Sequence, residues 1–223
     1  TQAFQTIDLR SHSSAESCAV FRTSGTTGSR QGEHYFQDLT LYRKAALRAF
    51  GQAFGLNATR RRCLSLIPDA SDEPYSSLSQ MVTWILEEWG DDGSGVDRSG
   101  EALRAQEEPT IVLGTSLQLF DWLTKNPRAA FHPGTLVMET GGFKGQSKEM
   151  TRAHLHTAYR RAGLDTSCVI GEYGMTELSS QWYDGWNGEA PKRLEERVYV
   201  PPSWARTRIV DPATLRDVSM GES

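Results

Sequence analysis

The sequence predicts an α/β fold, a mainly parallel sheet flanked by helices and ending in a mostly β segment. Two observations predict it. Short apolar runs of strand character alternate with longer stretches of helical periodicity, and Gly/Ser/Thr-rich loops stand directly after three of those runs. The composition agrees: of 223 residues, 38% belong to the AVILMFWYC set and 23% are charged, enough apolar mass for a core and too much for a disordered or fibrous chain.

Taken in order, Ala19–Arg22 is a short strand that runs into a Ser/Thr/Gly loop. Leu39–Phe54, followed by Leu56, carries Leu41, Ala45, Leu47 and Phe50 near helical spacing, and Gly55 and Asn57 supply the stop. Arg62–Ile67 is a strand that Pro68 ends, and Ser77–Trp89 is a helix with Leu78, Met81, Val82, Ile85 and Trp89 on one side. Gly90–Gly100 (GDDGSGVDRSG) is a low-complexity surface loop. Then follow a strand at Thr110–Gly114, a helix at Ser116–Thr124, a strand at Thr135–Glu139, a GGFKG loop, a helix at Ser147–Ala162 and a strand at Ser167–Ile170. Beyond Tyr183, segments around RVYV and TRIV have strand character with no helix between them, interrupted by Pro201 and Pro202.

Charge and length exclude several classes. A net charge of −4 lacks the basic face that phosphate-backbone binding requires, so no nucleic-acid partner is expected. No apolar run approaches the roughly 18–20 residues that cross a bilayer, and TQAFQTIDLR has no apolar leader core. Cys18, Cys63 and Cys168 are odd in number and far apart, without metal-site spacing; reduced thiols in buried strands of a cytoplasmic protein are expected.

In parallel sheets, ligands gather at the carboxyl ends of strands. The loop Thr23-Ser24-Gly25-Thr26-Thr27-Gly28 brings glycines that let backbone N–H groups approach an anion, four hydroxyls, and Arg30 just beyond. Its position between a strand and a helix-like pattern suits a phosphate cradle, yet no lysine follows Gly28, so it is not a Walker loop. A second loop, Glu172-Tyr173-Gly174-Met175-Thr176-Glu177, and a third, Glu139–Gly145, also follow strands.

These loops carry a resemblance. FRTSGTTGSRQG resembles the phosphate-loop motif of the adenylate-forming superfamily of acyl-CoA synthetases, luciferases and adenylation domains, with Arg30, Gln31 and Gly32 where that motif usually has Pro-Lys-Gly. EYGMTE is similar to the superfamily's YGxTE motif. TQAF, FRTSGTTG, ETGGFKGQSKEMTR and GEYGMTELSSQWYD together resemble the bioluminescence-type acyl-protein synthetase branch, with phenylacetate–CoA ligases as cousins.

The resemblance implies ATP-dependent activation of a fatty or aryl carboxylic acid to an acyl-adenylate, then transfer to a thiol, either a protein cysteine or coenzyme A. ATP and Mg²⁺ are the implied cofactors. Thr23–Gly28 and Arg30 would hold the phosphates, and Gly141 and Gly142 would wall the adenine on which Tyr173 stacks, with Glu172 and Gly174 completing that motif. Thr176 would offer its hydroxyl to the α-phosphate, and Glu177 a hard oxygen to Mg²⁺; these two are the catalytic candidates.

Residues 1–183 would be the adenylation core and 184–223 the start of a β-rich subdomain, in an enzyme whose C-terminal lid domain has no counterpart in these residues. Alone they would adenylate poorly, and none of the three cysteines takes the acyl group. Two rivals stay open, a nucleotide-binding homologue without catalysis, favoured by Arg30-Gln31, and a phosphotransferase, disfavoured by the missing Walker lysine. Ser76-Ser77-Leu78 would border the acyl pocket or merely cap a helix, and Gly114-Thr115-Ser116, at a comparable strand end, would line the same cleft. Lys144, His34, His154 and His156 read as structural or solvated, and Trp182, Tyr183 and Trp186 either shape the pocket or pack beneath it.

Overall fold

A computed structural model describes residues 10, 12–13, 16–23, 31–141, 151–211, 213–214 and 216–218. Strands β1 (Ala19–Arg22) and β2 (Glu33–Phe36) form an antiparallel pair of their own, with Ala19 opposite Phe36 and Arg22 opposite Glu33. The main sheet has six strands in the order β4-β3-β5-β6-β7-β8. These are β3 (Cys63–Ser65), β4 (Gly95–Val96), β5 (Ile111–Thr115), β6 (Leu136–Thr140), β7 (Val169–Tyr173) and β8 (Trp182–Tyr183), all parallel except β8. The mainly parallel α/β reading of the sequence is therefore the observed class.

Helices cover both faces, as a parallel sheet requires. On one face lie α1 (Thr40–Phe54) and α2 (Ser77–Trp89), packed on Cys63, Ile67, Ile111, Leu113, Met138 and Ile170. On the other lie α3 (Glu101–Arg104), α4 (Ser116–Lys125) and α5 (Arg152–Arg161), packed on Leu64, Val112, Val137 and Val169. Adjacent strand residues thus feed opposite cores, the period-2 alternation of a pleated strand buried on both sides.

Local chemistry sets the helix ends. Ser76 accepts the Ser79 N–H at the start of α2, and Gly55 ends α1 in the left-handed conformation at φ 67°. Thr115 and Gln118 close a full capping box on α4, each side chain accepting the other's backbone N–H. Thr115→Ala is expected to lower stability by about 1 kcal/mol, read from the urea midpoint at unchanged slope.

Four expectations change. The buried stripe of α1 is Tyr42, Ala46, Ala49, Phe50, Ala53 and Phe54, whereas Leu41 is 80% exposed. Alanines bring the helix close and the aromatic rings fill the volume, so the largest aliphatic side chains do not mark the core. The Gly90–Gly100 stretch holds β4, an edge strand that Val96 alone signals; Asp97 then accepts the N–H groups of Glu101 and Leu103 to start α3. The RVYV and TRIV segments reduce to single bridges, Tyr183 with Val200 and Val210 with Asp217. Cys63 is buried in β3, but Cys18 is exposed and Cys168 half-buried. No described helix is long and apolar enough to cross a membrane.

Candidate active site

Because β3, β5, β6 and β7 run the same way, Ser65, Thr115, Thr140 and Tyr173 end on one edge of the sheet. The Glu172–Glu177 motif lies there. Glu172 and Tyr173 are the last residues of β7, and Thr176 and Glu177 stand in the turn that follows, so the motif starts inside the strand and not in a loop.

The phosphate-loop expectation needs a correction in its setting. Thr23–Gly28 joins two antiparallel strands, not a strand and a helix; Ser24, Gly25, Thr26, Thr27, Gly28 and Arg30 lie outside the described residues. Its neck is described. The Thr23 N–H donates to the Gly32 carbonyl at 2.9 Å, and the Gly32 N–H returns to Thr23 Oγ1 at 2.9 Å. Two residues on, His34 Nδ1 lies 2.8 Å from the Thr176 carbonyl oxygen. Thr176 Oγ1 is 3.3 Å from Ser77 Oγ in the first turn of α2. The Arg22 N–H donates to the Tyr75 carbonyl at 2.8 Å, with its guanidinium over the Tyr75 ring. The hairpin neck, the start of α2 and the motif therefore meet at one place.

Within the motif the side chains differ in environment. Tyr173 is 40% exposed, its ring 5.7 Å from Trp182 and 5.8 Å from Tyr199 between centroids. Gly174 backs onto Glu172, and a Cβ there would come within 2.7 Å of Glu172 Oε1. Glu177 is partly buried, and its Oε1 is covered without a hydrogen-bond partner among the described residues. A covered carboxylate oxygen with no donor is of the type a hard cation such as Mg²⁺ takes. Among the described residues no group of three or more His, Cys, Asp or Glu side chains forms a metal cage.

Gly141 caps β6 at φ 71° with open space where a Cβ would stand, and its carbonyl oxygen lies 2.9 Å from Ser116 Oγ; Gly142 and Lys144 lie outside the described residues. His154 is exposed and His156 buried, so the pair faces apart as expected. Of the aromatic trio, Tyr183 is buried and Trp186 is 65% exposed.

Glu172 is buried beneath the motif and accepts the Thr140 hydroxyl. Burial pushes its carboxyl up to about 7, against the Thr140 hydrogen bond, which favours the charged form. The folded protein thus keeps this proton up to about pH 7, while the unfolded chain releases it near 4.5. Between those values the folded state binds more protons, so this group's stabilisation is present at low pH and lost as pH rises. Melts at pH 5 and pH 8 are expected to show Glu172→Gln gaining stability relative to the parent at the higher pH.

Sequence reasoning missed the support on the opposite face. Asp184 accepts the Gly171 N–H at 2.6 Å, Arg152 Nη2 at 2.8 Å and Arg197 Nη1 at 3.3 Å. Arg197, almost fully buried, also donates to the carbonyls of Val169 at 2.7 Å and Thr166 at 2.5 Å. Glu139 takes Arg152 Nε at 3.2 Å and lies 3.1 Å from Ser116 Oγ. The network ties β6, β7, α4, α5 and the segment after β8 directly beneath the edge that carries the motif. The one sequence signal was a set of charges next to apolar strands, which does not reveal its partners.

No family profile matches the sequence, and no curated protein matches it. Solved structures do share its fold. The amide bond synthetase McbA from Marinactinospora thermotolerans superposes with TM-score 0.63 at 20% identity, over 97% of this chain and 41% of its own. ATP-bound MatB from Rhodopseudomonas palustris superposes with TM-score 0.59 at 18% identity, over 95% of this chain and 39% of its own. The chain thus spans about two fifths of the length of these structures.

Proposed function

We propose that this chain is the nucleotide-binding part of an adenylate-forming ligase that activates a carboxylic acid with ATP. One observation carries the reading: the neck of the Thr23–Gly32 hairpin and the Glu172–Glu177 motif meet through His34 and Thr176 at the carboxyl edge of a parallel sheet. The shared fold with an amide bond synthetase and with a protein solved with ATP bound supports it.

In the proposed step a carboxylate oxygen forms a bond to the α-phosphorus of ATP, and the bond from that phosphorus to the pyrophosphate oxygen breaks. The residues act by placement and by countering charge. The N–H groups and hydroxyls of Thr23–Gly28 cradle the phosphates, and Arg30 adds a cation next to Gln31, which stands where related motifs have lysine. Tyr173 offers its exposed ring to the adenine, which Gly141 and Gly142 would wall. Thr176 points a hydroxyl at the α-phosphate, steadied by Ser77. Glu177 would hold Mg²⁺, which when bound neutralises phosphate charge. The acceptor in the second step is a thiol, a protein cysteine as in the acyl-protein synthetase branch or coenzyme A as in the phenylacetate–CoA ligases.

Exchange of labelled pyrophosphate into ATP by the full-length protein, alongside calorimetric titration with Mg·ATP, tests the reading. Acid-dependent exchange is the expected result. Binding without exchange would favour a homologue that holds nucleotide without turnover, the reading that Arg30-Gln31 supports. Absence of both overturns the assignment.

A further inference from the structure

The turn that carries Thr176 and Glu177 is closed by a backbone hydrogen bond, from the Leu178 N–H to the Met175 carbonyl at 3.0 Å. Those two residues are therefore the central pair of a four-residue turn. A closing bond of this kind fixes the ends of a turn and not its middle. The peptide between the central residues can rotate as a plane, exchanging a type I turn for a type II turn while the closing bond is kept. In this turn that peptide joins the two catalytic candidates. Its rotation changes ψ at Thr176 and φ at Glu177, so its setting aims both side chains.

His34 holds this peptide from outside the turn. Its Nδ1 lies 2.8 Å from the Thr176 carbonyl oxygen, which belongs to that same peptide. A carbonyl only accepts, so Nδ1 carries the proton, in the neutral ring and in the imidazolium alike. Rotating the peptide would swing its oxygen to the other side of the turn, away from His34. The rotated form also needs a left-handed φ at Glu177, which a non-glycine residue resists. Glu177 is not among the residues at positive φ, so the turn stands in the setting that the hydrogen bond favours.

The donor is itself held in place. His34 stands opposite Phe21 in the β1–β2 register, and its ring packs on Phe36 at 4.3 Å between centroids. Phe36 in turn stacks on Tyr42 of α1 and stands edge-on to Phe21. Two residues before His34, the Gly32 N–H bonds Thr23 at the neck of the phosphate loop. The same hairpin thus carries the neck of that loop and the donor to the motif. Resting on the acid-activation reading, we propose that His34 is a positioning residue: its Nδ1–H pins the Thr176–Glu177 peptide, which sets the Thr176 hydroxyl and the Glu177 carboxylate against the phosphates that the loop holds.

The test uses the full-length protein and two variants. His34→Leu removes the donor, whereas His34→Asn keeps one, because its amide nitrogen is bonded to Cγ as Nδ1 is. In pyrophosphate exchange His34→Leu is expected to lower kcat about 5- to 10-fold, with the KM for ATP within about twofold of the parent. His34→Asn should recover most of that rate. A residue that only steadied the fold would lower the melting temperature of both variants and would not be rescued by an amide. Nitrogen NMR of the protein labelled in histidine gives a readout without substrate. The His34 signal, identified by its loss in His34→Asn, should show the proton on Nδ1 at neutral pH. A His34→Leu variant with the parent's rate, a loss carried by KM, a His34→Asn variant as slow as His34→Leu, or a neutral ring protonated at Nε2 alone overturns the role of His34. With an active parent, any of these leaves the acid-activation reading standing. A parent that exchanges no pyrophosphate overturns that reading, and this role with it.

Discussion

Asp184→Ala is expected to destabilise the protein by about 3–5 kcal/mol, the largest effect of any single substitution argued from this structure. The side chain is fully covered and receives three donors, the Gly171 N–H, Arg152 and Arg197. Its removal leaves Arg197 charged and buried with only the carbonyls of Val169 and Thr166 for partners. A lone buried charge is far costlier than the pair it came from is stabilising, because desolvation is no longer offset by attraction. The double change Asp184→Leu with Arg197→Met removes both charges and should lose much less than the sum of the two single changes. Urea melts of the four proteins in this cycle measure the coupling. Losses that simply add would show that the ion pair is not the source of the effect.

Glu177→Gln carries the largest expected effect on function. If this carboxylate holds Mg²⁺ against the phosphates, its amide analogue should weaken Mg·ATP binding by about tenfold or more and reduce pyrophosphate exchange in proportion. Stability should change little. Glu177 Oε1 is covered and has no donor among the described residues, so the amide breaks no hydrogen bond at that atom. Titrations with ATP alone and with Mg·ATP check the metal dependence, and a thermal melt checks the fold. A variant that binds Mg·ATP like its parent would take the metal role from this residue.

These expectations differ in how far the sequence already contained them. The motif around Glu177 was legible because its residues are neighbours in the chain, and one turn keeps them together. Asp184 was not. Its partners sit 13 residues away at Gly171 and Arg197 and 32 residues away at Arg152, and no periodicity links them. α1 shows the same limit at the level of packing. Helical spacing located the helix, but the sheet chose the stripe of Tyr42, Ala46 and Phe50 over Leu41, because closeness of approach and not side-chain hydropathy decided the face. The two-residue strand Gly95–Val96 escaped notice because an edge pairing that short leaves almost no pattern to read.

By itself the sequence determined the alternation of the longer strands and helices, the mainly parallel character of the sheet, and the composition of the hairpin and motif loops. Each rests on local rules, a side-chain period of 2 or 3.6 and the turn chemistry of glycine and hydroxyl residues. Only the tertiary structure decided what stands beside what. It made Ala19–Arg22 half of a hairpin, set His34 on Thr176 across 142 residues, and gathered Tyr42, Glu172, Gln181 and Tyr183 behind the motif. Strand order in the sheet is a choice among distant pairings, settled by how all the apolar faces can be buried at once, and no local window of sequence carries that information.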